Sequence, residues 1–313
     1  MNRKAIDMAG HAAELAAQVS DPLPALPASR SWTQIAGFLV SVAILAAVAW
    51  QMRTLRLAEL RSLFPTSFSF WAVFAIYYLA GPAADWIIFR RLWSIPLSGI
   101  VALVSKLISN EILFGYLGEV YFYTWARRNV HRVGAPFGAI KDVSVLSALT
   151  GNATTLVMIL ATAPLLTKID FGLSTPMSVL SVAVLCLPSI GIFVFRKKLF
   201  ILPKEDLRFI IVIHLVRIIA TFLLAAIMWH MLLPAVPITL WIVLGTLRLV
   251  VSRLPFVTNK DLVFAGFTVF FVGKDAGIAS AMALMATLIL AVHLCVGALL
   301  GAAALTREVT TGA

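Results

Sequence analysis

Charge is the scarcest commodity in this sequence. Of 313 residues only 12% are charged while 61% are hydrophobic, and the mean hydropathy is +0.98. A soluble domain is about 45–50% apolar and about 25% charged, so this much apolar surface cannot be closed into one globular core. Cysteine is almost missing as well. Cys186 and Cys295 both stand in apolar runs, which excludes a disulfide scaffold and reads as two small buried hydrophobes. There is no G-x-x-x-x-G-K-[ST] loop to cradle ATP phosphates, no His-Glu-x-x-His or paired-Cys metal spacing, and no Gly-x-Ser-x-Gly elbow. No segment outside the apolar runs is long enough for a catalytic domain. The expectation is a protein with no cofactor and no resident metal, and not an enzyme.

What is present is a series of long apolar runs. The first extends from Trp32 to Trp50, with an aromatic anchor at each end. Eight more follow at 68–89, 97–117, 143–164, 175–195, 209–232, 237–252, 254–272 and 278–303. A bilayer-crossing helix needs about 20 apolar residues, and most of these qualify. The chain therefore reads as all-α, a polytopic integral membrane helical bundle. Residues 1–31 form an N-terminal arm ending in Asp21-Pro22-Leu23-Pro24-Ala25-Leu26-Pro27, 32–303 a single transmembrane domain, and 304–313 a short C-terminal tail. Ala47-Val48-Ala49 imitates a signal-peptidase site, but the run is long enough to span and the arm is long for a signal peptide, so retention is expected.

Two runs carry polar residues where lipid would not tolerate them. The stretch 97–117 contains Lys106, Ser109, Asn110 and Glu111 and runs into Gly115 and Gly118; 254–272 is broken by Pro255 and Thr258-Asn259-Lys260-Asp261. Irregular, charged backbone at membrane depth survives only where protein or a wet cavity surrounds it. These two are read as broken or re-entrant helices beside about seven full spans. With the N-terminus in the cytoplasm, Arg90, Arg91, Arg127, Arg128, Arg132, Lys141, Arg196, Lys197, Lys198 and Arg253 fall inside, and Arg53, Arg56, Arg61, Lys168 and Arg307 outside. That bias, with the net charge of +11, fits cytoplasmic loops facing anionic headgroups rather than nucleic acid.

The densest chemistry lies between Ile108 and Arg128. If that segment is helical, Glu111, Gly115 and Gly118/Glu119 share one face, where the glycines admit a close neighbour and the carboxylates line it. Glu119 is otherwise a solvated helix-end acid. Glu111 lies deeper, where intramembrane acids are costly and usually paired. About 142 residues on comes an echo: Phe114, Glu119, Val120 and Phe122 align with Phe256, Asp261, Leu262 and Phe264, with Arg248 and Arg253 nearby. It suggests an internal pseudo-repeat, and transporters often build a midplane site from two corresponding broken helices. Further along, His214 and Arg217 share a face; the arginine either snorkels to the interface or walls an anion site. Asp85 is expected to pair with Arg90 or Arg91, Asp142 to sit in a helix first turn, and His293 to be hydrogen-bonded packing.

This arrangement resembles the flippase-like transmembrane region of lysylphosphatidylglycerol synthases and their stand-alone relatives. That family carries an Asn…Pro-Gly-x-x-Gly-Glu motif after a polar broken helix, an upstream Arg-Trp-like pair and an acid-ending second motif. The counterparts are Asn110 with Gly115, Gly118 and Glu119; Arg91 with Trp93; and Pro255 with Asp261. Tyr116-Leu117 and Phe256-Val257-Thr258-Asn259 depart from the pattern, and Asp261 replaces the usual Glu. The resemblance spans about 32–303 and lacks the soluble aminoacyl-transferase module. It implies a lipid translocase of the bacterial inner membrane, with membrane lipids bearing a phosphate or anionic headgroup as partners and a homo-oligomer or an envelope-biosynthesis protein as a further one. Asn110, Glu111, Gly115, Gly118, Glu119 and Asp261 would then line the path, the three acids serving a cationic headgroup or a coupled proton. Arg217, Arg248 and Arg253 would draw the phosphate. The rival readings are a scaffold for a biosynthetic complex and a lipid-modifying enzyme, whose only candidate metal pair is Glu205-Asp206.

Overall fold

A computed structural model describes residues 62–112, 117–130, 136–166, 200–253, 259–272 and 276–311. All the regular elements among them are α-helices: α1 (Phe68–Trp93), α2 (Gly99–Ile112), α3 (Leu117–Asn129), α4 (Pro136–Leu166), α5 (Lys204–Leu232), α6 (Ile238–Ser252), α7 (Lys260–Val272) and α8 (Ala276–Thr311). Helices α1, α4, α5 and α8 are long and apolar enough to cross a membrane. Their outer faces agree: on α5, Val212, Val216, Ile219, Leu223 and Ile227 recur at helical spacing and stay exposed, as a lipid-facing stripe would.

The expected span 237–252 takes a different form. It is the 15-residue helix α6, about 22 Å long at 1.5 Å per residue, against a hydrocarbon core of about 30 Å. It pairs instead with α7, as α2 pairs with α3. The expected spans 32–50 and 175–195, the arm 1–31 and Gly115 lie outside the described residues.

In chain order the helix lengths run 26, 14, 13 and 31 residues, then 29, 15, 13 and 36. The pattern long, short, short, long thus occurs twice, at the spacing of the sequence echo. The corresponding helices α1 and α5 are antiparallel. Phe70, Phe74 and Tyr77 of α1 pack with Ala225, Met228 and Trp229 of α5 in one apolar cluster. Ile88 and Phe89 pack with Ile210 in a second cluster at the other end, where Arg91 also bridges to Asp206 at 3.0 Å. Helix α5 is therefore turned over relative to α1.

Each cluster anchors the base of one short hairpin. Ala102 and Leu103 of α2 and Phe122 of α3 belong to the second cluster; Trp241 of α6 and Phe264 of α7 belong to the first. The hairpins enter the bundle from opposite ends, and their tips meet: the Asn259 N–H donates to the Glu111 carbonyl at 3.2 Å. Asn259 makes that turn with φ of 51°, in the left-handed region that asparagine tolerates better than most residues.

Candidate functional site around the hairpin tips

The side chains at the two tips come from helix ends, where a broken helix leaves backbone groups open. Because α2 ends at Ile112 and α3 begins at Leu117, Glu111 and Glu119 are not on one helical face as a continuous helix would have put them. They sit on opposite sides of the break.

The first tip is a closed network. Asn110 donates through Nδ2 to Glu119 Oε2 at 3.0 Å, and its Oδ1 accepts the Gly118 N–H at 2.8 Å. That second bond covers an orphan N–H at the start of α3, so Asn110 caps a helix from outside its own chain segment. Gly118 is required here: a Cβ would lie 2.1 Å from the Lys106 carbonyl oxygen. Lys106, buried on α2, reaches Asp85 of α1 at 2.7 Å and Glu119 at 3.6 Å. Asp85 therefore pairs with Lys106 rather than with Arg90 or Arg91. Arg90 instead lies over the Trp86 ring, and Arg91 takes Asp206, one of the two acids a metal-dependent enzyme would have needed. Among the described residues no group of three His, Cys, Asp or Glu could hold a metal ion.

The second tip is built differently. Arg248 of α6 donates to Asp261 of α7, with N···O distances of 2.7 and 2.6 Å, and also to the Tyr77 hydroxyl while lying over that ring. Its charge is consumed inside the protein, which removes it from the group expected to draw a phosphate. A small pocket lined by Tyr77, Met228, Trp229, Arg248, Asp261 and Met285 opens beside this pair.

Three other cations at the tips have no carboxylate within ion-pair distance among the described residues. Arg217 stands near the middle of α5 and donates to Ser147 Oγ of α4 at 2.9 Å. Arg253, at the end of α6, donates to Ser252 Oγ at 3.1 Å, and its guanidinium presses on Gly151 so closely that a Cβ there would lie 2.0 Å from Nη1. Ser147 and Gly151 are one turn apart on α4, so the two guanidinium groups are neighbours, each within coulombic reach of the other. Lys260, at the start of α7, donates to the Ser252 carbonyl at 2.9 Å and feels the charge of Arg253. Arg217 does not snorkel, and Arg253, expected in a cytoplasmic loop, is at mid-depth of α4.

Two further expectations change. Asp142 is buried seven residues into α4 and accepts the N–H groups of Ile201 and Leu202 at 2.7 and 2.9 Å, so it fastens the entry to α5 instead of serving the dipole of α4. His214 is buried with Nε2 at 3.3 Å from the Val143 carbonyl and takes no part in the cation group. Sequence reasoning missed Lys106 and Lys260 as site residues. The signal was available for both, since a lysine inside or at the mouth of an apolar stretch demands a partner.

Eight of the nine residues expected to form a site are described: Asn110, Gly118 and Glu119 close the α2–α3 tip, Arg248 and Asp261 close the α6–α7 tip, Glu111 joins the two through its carbonyl, and Arg253 lies within coulombic reach of Arg217. No protein-family model matches the chain, and neither does a curated protein or a solved structure.

Proposed function

We propose that this chain is a lipid translocase of the flippase-like kind in a bacterial inner membrane, moving a phosphate-bearing lipid past the point where the two hairpins meet. The observation that carries this reading is the neighbouring pair Arg217 and Arg253, with Lys260 beside them, held at mid-depth without a carboxylate partner among the described residues. Like charges repel strongly in a low-dielectric interior, and the carboxylates of Asp85, Glu111 and Asp261 answer these cations only at longer range, so such a group favours an anion in direct contact. Guanidinium groups present parallel N–H donors that suit phosphate oxygens, and the Ser147 and Ser252 hydroxyls stand beside them. In the absence of an ATP-binding motif, movement is passive or coupled to an ion.

The hairpins entering from opposite ends give the translocation a route. A headgroup approaching from either leaflet meets one hairpin, reaches the cations at the tips, and leaves along the other. The same design makes the ends of α4 and α5 alternate between membrane faces, with α2–α3 re-entrant from the cytoplasmic side and α6–α7 from the far side.

Two measurements test this. Purified protein carrying Arg217→Gln or Arg253→Gln is expected to bind a phosphatidic-acid-containing vesicle at least tenfold more weakly, corresponding to about 1.4 kcal/mol, while melting at the wild-type temperature or above it. Wild-type binding and wild-type lipid flipping in reconstituted vesicles by both variants would refute the reading. Single cysteines at Ser94 and Asn129 should label from the cytoplasmic face and one at Ala235 from the opposite face; labelling of all three from one side would remove the opposed route.

A further inference from the structure

Three polar groups near the tips remain unused by the phosphate reading. Tyr78 Oη of α1 and His293 Nε2 of α8 are buried without a hydrogen-bond partner among the described residues. The Glu111 carboxylate, one residue from the end of α2, makes no hydrogen bond or ion pair there either, although its carbonyl oxygen accepts from Asn259. Buried polar groups without partners are expensive, and two of them beside a half-buried acid invite an occupant.

They are in one place. The Tyr78 and His293 rings meet edge to face with centroids 5.2 Å apart, and Glu111 lies within coulombic reach of both. The histidine's tautomer follows from its other nitrogen. Nδ1 lies 2.7 Å from the Ile289 carbonyl, an acceptor, so Nδ1 carries the hydrogen and Nε2 of the neutral ring presents a lone pair. A base with nothing to accept from therefore stands near an acid with nothing to pair with.

We propose that Glu111, His293 and Tyr78 form a proton-binding site, in which Glu111 takes up a proton and, once a side-chain rotation brings the two groups within hydrogen-bond reach, passes it to Nε2 of His293. In that step the carboxylic O–H bond breaks and an imidazole N–H bond forms, giving a carboxylate and an imidazolium with no other reactant; the Tyr78 hydroxyl donates to the carboxylate left behind. The charged groups that face Glu111 are Arg248 on α6, Lys260 and Asp261 on α7 and His293 on α8, with Tyr77 and Tyr78 on α1. Arg248 is matched by Asp261, which leaves Lys260 as the cation whose balance changes when Glu111 gains or loses its proton. Lys260 also belongs to the phosphate-facing group, so protonation of Glu111 strengthens the net positive charge that the lipid phosphate meets. As coupling this rests on the translocase reading; as proton binding it does not.

Infrared difference spectroscopy on the purified protein across a pH series separates the two. The wild type is expected to show a protonated-carboxyl band that titrates, absent from Glu111→Gln, retained by Glu111→Asp, and displaced in pH by His293→Gln. A band unchanged in Glu111→Gln, or one whose midpoint ignores His293→Gln, overturns the site. Vesicles carrying the wild type under an imposed pH gradient are expected to reach a lipid asymmetry that changes about tenfold per pH unit for one proton per lipid, and Glu111→Gln to flip lipid without responding to the gradient. Gradient-blind flipping by the wild type overturns the coupling. A titrating Glu111 band in a protein that flips no lipid leaves the proton site standing and removes the translocase reading.

Discussion

The two hairpins are alike in length and opposite in chemistry. At the α2–α3 tip every described charge except Glu111 is answered: Lys106 by Asp85 and Glu119, Glu119 by Asn110, and the Gly118 N–H by the same Asn110. At the α6–α7 tip only Arg248 and Asp261 are matched, and Arg253 and Lys260 make do with oxygens of Ser252. A tip whose charges cancel is a fixed wall. A tip with surplus charge is where the proposed function places the lipid phosphate. On the proposed function the difference would give the two hairpins different tasks, and it can be tested residue by residue.

The largest effect is expected at Gly118. A methyl group there collides with the Lys106 carbonyl, which belongs to a helix backbone and cannot step aside. Gly118→Ala should cost about 3 kcal/mol or more, seen as loss of folded protein in a thermal melt. Next comes Lys106→Met, which leaves Asp85 and Glu119 without their cation. Breaking a buried pair from one side costs about 3–5 kcal/mol, and adding Asp85→Asn should restore much of the stability. Failure of the double variant to recover would show that the pair is not the unit that matters.

Glu119→Gln should lose less, since Asn110 can still donate to the amide oxygen; a fall in melting temperature with normal transport per folded molecule is the expected result. Gly151→Ala sharpens the contrast with Gly118. Its Cβ would strike only the end of the flexible Arg253 side chain, so stability should hold while vesicle binding drops about tenfold, equal to about 1.4 kcal/mol. The smallest effect belongs to Gly81, in α1, where a Cβ meets nothing within 4 Å. Gly81→Ala should leave binding alone and shift stability by about 1 kcal/mol or less, upward, through helix propensity.

Much of this was legible in the sequence. Long apolar runs announced the bundle, and Lys106, Asn110 and Glu111 in one stretch and Pro255 to Asp261 in another announced the two breaks. The echo between Glu119 and Asp261 suggested a repeat, and the described helices follow a long, short, short, long order twice. What could not be read was partner choice. Asp85 has Arg90 and Arg91 one turn or so away in sequence, yet α2 packs on α1 and brings Lys106 closer. Arg248 and Arg253 look equivalent on paper, five residues apart, but one meets Asp261 across the hairpin and the other meets only Gly151 and the Ser252 hydroxyl among the described residues. Hydropathy likewise took α6 for a span, because a run of apolar residues records what surrounds a helix and not how far it travels.

Asp142 has a consequence in time. Its carboxylate is made long before Ile201 and Leu202, whose N–H groups it will hold, and until they arrive Lys141, 3.3 Å from its other oxygen, shares its charge. Taken without the second half, the first carries an unfinished acceptor that the start of α5 completes. The two halves are thus joined by one carboxylate: Asp142 of α4 is satisfied only when the segment leading into α5 is in place.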